Sequence, residues 1–147
     1  MRSFFLLLAV CGWCAQPAIA DNWPAWRGPQ GTGACAERKL PTTFSESAGV
    51  TWKTPLAERC NSTPIIWDQR VFVTAPFEGG KLRSLICFDR KTGGELWRHT
   101  VPFPEEETLH RDNTFCAGSP TTDGRLVYAS FDSAGVVACD FEGKVVW

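Results

Sequence analysis

The chain has 147 residues, 44% of them hydrophobic and 21% charged, with a net charge of −1. This is an ordinary globular balance on a length that suits one domain. The near-neutral charge argues against a nucleic-acid-binding protein, which would want a basic face.

Residues 1–20 read as an export signal. Arg2 is the positive start, Phe4-Phe5-Leu6-Leu7-Leu8-Ala9-Val10 the apolar centre, and Ala18-Ile19-Ala20 a small-x-small cleavage site. The apolar run is shorter than the about 20 residues that span a bilayer. The expected location is therefore the periplasm or cell envelope, with membrane association left open but no spanning segment. Cleavage would remove Arg2 and leave 14 basic and 16 acidic residues, a net charge of −2. Cys11 and Cys14 have redox Cys-x-x-Cys spacing, but no strand–helix context follows them. Val10 is too large for a good lipoprotein cleavage box before Cys11.

Residues 21–49 form a Gly-, Pro- and Trp-rich arm opening with Trp23-Pro24-Ala25-Trp26-Arg27-Gly28-Pro29. The prolines disfavour a helix. Gly28, Gly31 and Gly33 lack the strand, the helix and the Gly-Lys-Ser/Thr of a phosphate cradle. The expectation is an extended arm whose tryptophans pack on the domain.

From residue 50 the pattern is strands and turns, with no helical period. Strands are expected at 50–54, 63–67, 71–75, 82–88 and 95–101. Turns are expected at Asp68-Gln69-Arg70, Glu78-Gly79-Gly80-Lys81 and Lys91-Thr92-Gly93-Gly94. A second unit follows, with Asp123-Gly124 as a two-residue hairpin signal and Asp132-Ser133-Ala134-Gly135 as its middle loop.

The second unit repeats the first. Cys60-Asn61-Ser62-Thr63-Pro64 matches Cys116-Ala117-Gly118-Ser119-Pro120, and the strand–turn–strand after each is alike. Cys87-Phe88-Asp89-Arg90-Lys91-Thr92-Gly93-Gly94-Glu95-Leu96-Trp97 matches Ala138-Cys139-Asp140-Phe141-Glu142-Gly143-Lys144-Val145-Val146-Trp147, one turn residue shorter. A unit of roughly 45–50 residues with four short strands is the size and pattern of a propeller blade. The expected fold is all-β, a β-propeller of four-stranded antiparallel blades. Blade 1 spans about residues 50–100 and blade 2 about residues 101–147. Two blades cannot close a ring, so the chain reads as the N-terminal part of a longer protein with exposed strand edges. In each phrase the glycine (Gly93, Gly143) permits a tight turn with positive φ, and the aspartate (Asp89, Asp140) can bond the turn amides. Trp52, Trp97 and Trp147 are expected to be wedges between blades.

The phrase Ala-x-Asp-x-x-x-Gly-x-x-x-Trp resembles the tryptophan-docking phrase of propellers related to pyrroloquinoline quinone (PQQ) dehydrogenases. Residues 87–97 match it with Cys for Ala, and residues 138–147 match it one residue short. The resemblance covers about residues 50–147 and extends to the Trp-Pro-x-Trp-Arg-Gly-Pro phrase at 23–29. It implies a PQQ-like β-propeller repeat, which serves both quinone enzymes and non-catalytic scaffolds. A scaffold relative is the propeller lipoprotein of the outer-membrane-protein assembly complex.

The enzyme reading would make this the N-terminal part of a PQQ-dependent dehydrogenase. The resemblance then implies a neighbouring-cysteine disulfide, a tryptophan platform, a calcium site and an aspartate base. The sequence has no adjacent cysteines and no calcium-loop spacing. The favoured reading is a non-catalytic binding or scaffold module with protein partners in the envelope, no cofactor, no metal site and no catalytic residue. Its contacts are expected on loops at one face. The connection after residue 101 is about ten residues longer than a minimal turn and is expected to emerge with the middle loops near Glu78 and Asp132. His110, Arg111, Asp112 and Asn113 on it are the candidate binding residues, and Glu105-Glu106-Glu107 is expected to be a solvated acidic turn. The five cysteines outside the leader, Cys35, Cys60, Cys87, Cys116 and Cys139, are an odd number with no assignable pairing.

Overall fold

A computed structural model describes residues 21–38 and 40–147. The export signal, Cys11 and Cys14 lie outside the described residues. Strands are β1 (Ile65–Trp67), β2 (Arg70–Phe77), β3 (Leu82–Asp89), β4 (Glu95–Pro102), β5 (Thr121–Thr122), β6 (Val127–Ser130) and β7 (Val136–Cys139). A 3-10 turn at Asp132–Ala134 is the only helical element among the described residues. None of them forms a helix long and apolar enough to cross a membrane.

The strands make two antiparallel sheets, ordered β1-β2-β3-β4 and β5-β6-β7. The second sheet begins a further pairing, because Cys139 bridges Val145 and the Val146 amide donates to the Ala138 carbonyl at 2.8 Å. These are two blades of an all-β propeller, and the described residues close no ring.

β2 and β3 carry apolar residues on both faces, as central strands between two layers must. On one face Phe72, Leu85 and Cys87 join Val127, Ala129, Val137 and Cys139 of the second sheet in one buried cluster. On the other, Val71, Val73, Ala75, Ile86 and Phe88 are packed by Trp52, Leu56 and Cys60 of the incoming segment. The first cluster is the interface between the blades.

Tryptophans cross these interfaces in a regular way. The Trp97 indole N–H donates to the Phe141 carbonyl at 2.8 Å. A Cβ at Gly143 would lie 2.7 Å from Trp97 Cδ2. One repeat earlier, the Trp52 indole donates to the Arg90 carbonyl at 2.8 Å, and a Cβ at Gly93 would lie 2.5 Å from its ring. Each glycine thus receives the tryptophan of the preceding repeat, not the one four residues downstream. Both have positive φ, +71° at Gly93 and +87° at Gly143. The aspartate before each folds the turn: Asp89 Oδ1 accepts the Lys91 and Thr92 amides, and Asp140 Oδ1 those of Glu142 and Lys144. Trp147 lies against Tyr128 with ring centroids 6.0 Å apart and is 60% exposed.

Two expectations about local structure are corrected. Residues 50–54 belong to no sheet. Their side chains bond a turn instead of a ladder, with the Thr54 hydroxyl donating to the Gly93 carbonyl at 2.7 Å. The Asp123-Gly124 hairpin has a four-residue loop, because Thr122 pairs with Val127. Asp123 Oδ1 accepts the Arg125 and Leu126 amides at 2.8 and 2.9 Å, a side-chain-capped turn that outcompetes the tighter one.

The arm edges both sheets. Trp23 exchanges backbone bonds with Ile66 of β1 at 2.8 and 2.9 Å. The next carbonyl, Pro24, accepts the Thr122 amide of β5 at 2.9 Å. Trp23 therefore packs on the domain, whereas Trp26 is 62% exposed, against expectation.

Replacing Gly143 by Ala should test the indole seat. A left-handed backbone costs an L-residue about 1–2 kcal/mol, and displacing the indole adds about 1–3 kcal/mol of overpacking. Urea unfolding should show a loss of about 2–4 kcal/mol. Gly79→Ala, at φ +66° but facing open space, should show only the backbone share.

Candidate functional site

The long connection after β4 is tied to both blades. The Phe103 amide donates to the Lys81 carbonyl at 2.7 Å. Phe103 and Phe115 flank the Arg83 guanidinium, with ring centroids 4.6 and 5.1 Å from its central carbon. Phe115 also lies on Gly80, where no side chain would fit.

Arg83 is the largest fully buried side chain among the described residues, 1% exposed. It donates to the Phe131 carbonyl at 2.6 Å, to the Gly80 carbonyl at 3.2 Å and to Glu107. The other oxygen of Glu107 accepts from the Ser133 hydroxyl. Glu107 thus links β3 of the first blade to the middle loop of the second. It is not the solvated acidic residue that the sequence led us to expect, because a buried guanidinium needs a charged partner. A cavity of about 250 Å³ lies beside it, lined by Lys81, Glu105, Glu106 and Phe115 among others. The connection and both middle loops therefore share one side of the blade pair.

His110, Arg111, Asp112 and Asn113 sit together beyond that anchor, all exposed. They form one turn, in which the Asn113 amide donates to the His110 carbonyl at 2.8 Å and the Asp112 amide to His110 Nδ1 at 3.3 Å. Asp112 Oδ2 lies 3.5 Å from His110 Nδ1 and 3.7 Å from Arg111 Nε. Asn61 of the first repeat donates to the Asp112 carbonyl at 3.2 Å. The Arg111 side chain is 87% exposed.

Sequence reasoning singled out this turn as a candidate but missed its anchor. The available signal was Arg83 itself, a charge inside the apolar strand Leu82–Asp89. The three buried cysteines offer no nucleophile here. All five described thiols are free. Burial pushes Cys87 and Cys116 up to about 12 and Cys139 to about 11, so they stay protonated and poorly nucleophilic at neutral pH. No group of three His, Cys, Asp or Glu among the described residues could hold a metal ion. These residues do not supply the neighbouring-cysteine and calcium arrangement that a quinone enzyme implies, and no catalytic step is derived through it.

The anchor is sensitive to acid. Hydrogen bonds from Ser133 and then Arg83 hold the Glu107 carboxyl below its ordinary value of 4.5. A carboxyl lowered in the folded state stabilises the fold above its unfolded value, and that stability is lost as pH falls through the folded value. Asp89 and Asp123 are lowered too, chiefly by the Thr92 hydroxyl and by the Leu126 amide. Glu107→Gln should cost about 1–2 kcal/mol at neutral pH. It should also flatten the fall in stability below about pH 4.5, as read by urea unfolding across pH.

The family model described as outer membrane protein assembly factor BamB matches residues 36–147. No curated protein matches the chain significantly. The matched stretch contains both blades and both seated tryptophans, and the chain belongs to the family of PQQ-like β-propeller repeats that this model describes.

Proposed function

We propose that this chain is a non-catalytic binding module of the periplasm or cell envelope, exported by residues 1–20. Its partner is a protein, met at the turn of His110, Arg111, Asp112 and Asn113. The observation that carries the reading is the anchored connection. A loop held by buried Arg83 and Glu107 presents an exposed polar turn at a fixed place, and preorganisation reduces the entropy lost on binding. The family name supports a partner in outer-membrane assembly, as the name states for that factor. The reading requires no cofactor. Quinone with calcium belongs to the dehydrogenase alternative, which no observation on these residues favours.

Two measurements test it. Expression with a C-terminal tag should place the chain in the envelope or periplasmic fraction, with Asp21 as its first residue. A photo-crosslinking side chain at Arg111 should capture a defined envelope protein. Alanine at His110, Asp112 and Asn113 should reduce that adduct about tenfold, equivalent to about 1.4 kcal/mol. A cytoplasmic chain, or an adduct unchanged by the substitutions, would contradict the proposal. Quinone absorbance gained on adding PQQ and calcium would support the alternative instead.

A further inference from the structure

The two matching Cys-x-x-x-Pro segments meet under the arm. Asn61 and Thr63 of the first, Ala117 and Ser119 of the second, and Trp26 of the arm line an open cavity of about 420 Å³. That volume lies within the range of small-molecule sites, about 300–1,000 Å³.

Trp26 is otherwise unexplained. A large indole left 62% exposed is a more informative feature than scattered small apolar residues. It is held at the tip of a tight turn, in which the Gly28 amide donates to the Ala25 carbonyl and the Gly33 amide to the Arg27 carbonyl, both at 2.9 Å. The Arg27 guanidinium lies 5.1 Å from the indole centroid. Trp26 thus presents a flat indole on a hydrogen-bonded backbone turn, and such a side chain gives contact area at little entropic cost.

The polar lining is neutral, and part of its bonding capacity is free. Ser119 Oγ accepts the Thr63 amide at 2.9 Å, which leaves its hydroxyl proton to donate. Asn61 uses its amide nitrogen on the Asp112 carbonyl, which leaves its amide oxygen to accept. The Thr63 hydroxyl has no partner among the described residues. None of the lining residues is charged, and the Arg27 guanidinium beside Trp26 is engaged with the indole, so the lining itself favours an uncharged ligand over an ionic one.

A flat apolar surface beside neutral donors and acceptors suits a ligand with one apolar face and a rim of hydroxyl groups. We propose that this cavity binds an uncharged saccharide ring, stacked on Trp26 and hydrogen-bonded by Asn61, Thr63 and Ser119. The site adjoins the turn of His110, Arg111, Asp112 and Asn113 through the Asn61–Asp112 hydrogen bond, but its ligand contacts lie on Trp26, Asn61, Thr63 and Ser119 and not on that turn.

Isothermal titration calorimetry on the full chain tests this directly, with cellohexaose, chitohexaose and laminarihexaose as probes. At least one should bind in the millimolar range or tighter. Trp26→Ala should weaken that binding at least about tenfold with an unchanged melting temperature, since the ring is mostly in water. Thr63→Val should weaken it as well, because a site built for hydroxyl groups loses affinity when a partner is removed. The proposal is overturned if none of the three sugars binds, if Trp26→Ala binds like the parent, or if a decaproline peptide binds where the sugars do not.

Discussion

An indole laid on a glycine of the next repeat is the contact on which the rest of the structure depends. It joins apolar burial, worth about 2–3 kcal/mol for a side chain of this size, to a hydrogen bond from the ring nitrogen. Neither half works alone. The ring needs a surface without a side chain, and the turn needs a residue that accepts positive φ. Trp97 therefore seats only where Gly143 is, and Trp52 only where Gly93 is. The contact fixes both the spacing and the relative position of neighbouring sheets. Phe72, Leu85, Val127 and Val137 then fill the space between them.

Much of this was legible in the sequence because the repeat is written in residues with narrow roles. Gly93, Gly143, Asp89 and Asp140 announce turns, and the alternation of β2 and β3 with those turns announces a blade. Which glycine serves which tryptophan was not legible. Gly93 and Trp97 are neighbours in the text, yet the contact runs from Trp97 to Gly143, a long-range pairing that local spacing cannot express. The strand expected at 50–54 failed for a related reason. Its β-branched and aromatic residues fit a sheet, but they are used to bond the turn at Arg90 and Gly93.

The candidate site shows the same division. The turn of His110, Arg111, Asp112 and Asn113 stood out as a polar insertion in a long connection. Its anchor did not, because Arg83 and Glu107 are separated by a whole strand, and a charge inside an apolar strand does not by itself name its partner. The buried guanidinium joins the connection, the loop at Gly80 and the loop at Phe131 through one side chain. Three segments far apart in the chain share a single charged hub.

The arm has a consequence for how the chain matures. Pro24 reaches Thr121 across a separation of 97 residues, while Trp23 grips β1 much nearer in sequence. One short peptide therefore covers the β1 edge of the first sheet and the β5 edge of the second, and the second contact waits until that sheet has been made. Until the arm docks on it, each of these edge strands is an open template for stray strands, and loops this long close slowly. The order of synthesis therefore sets the order of shielding: Trp23 can cover the β1 edge as soon as the first blade exists, and Pro24 can cover the β5 edge only when the second has arrived.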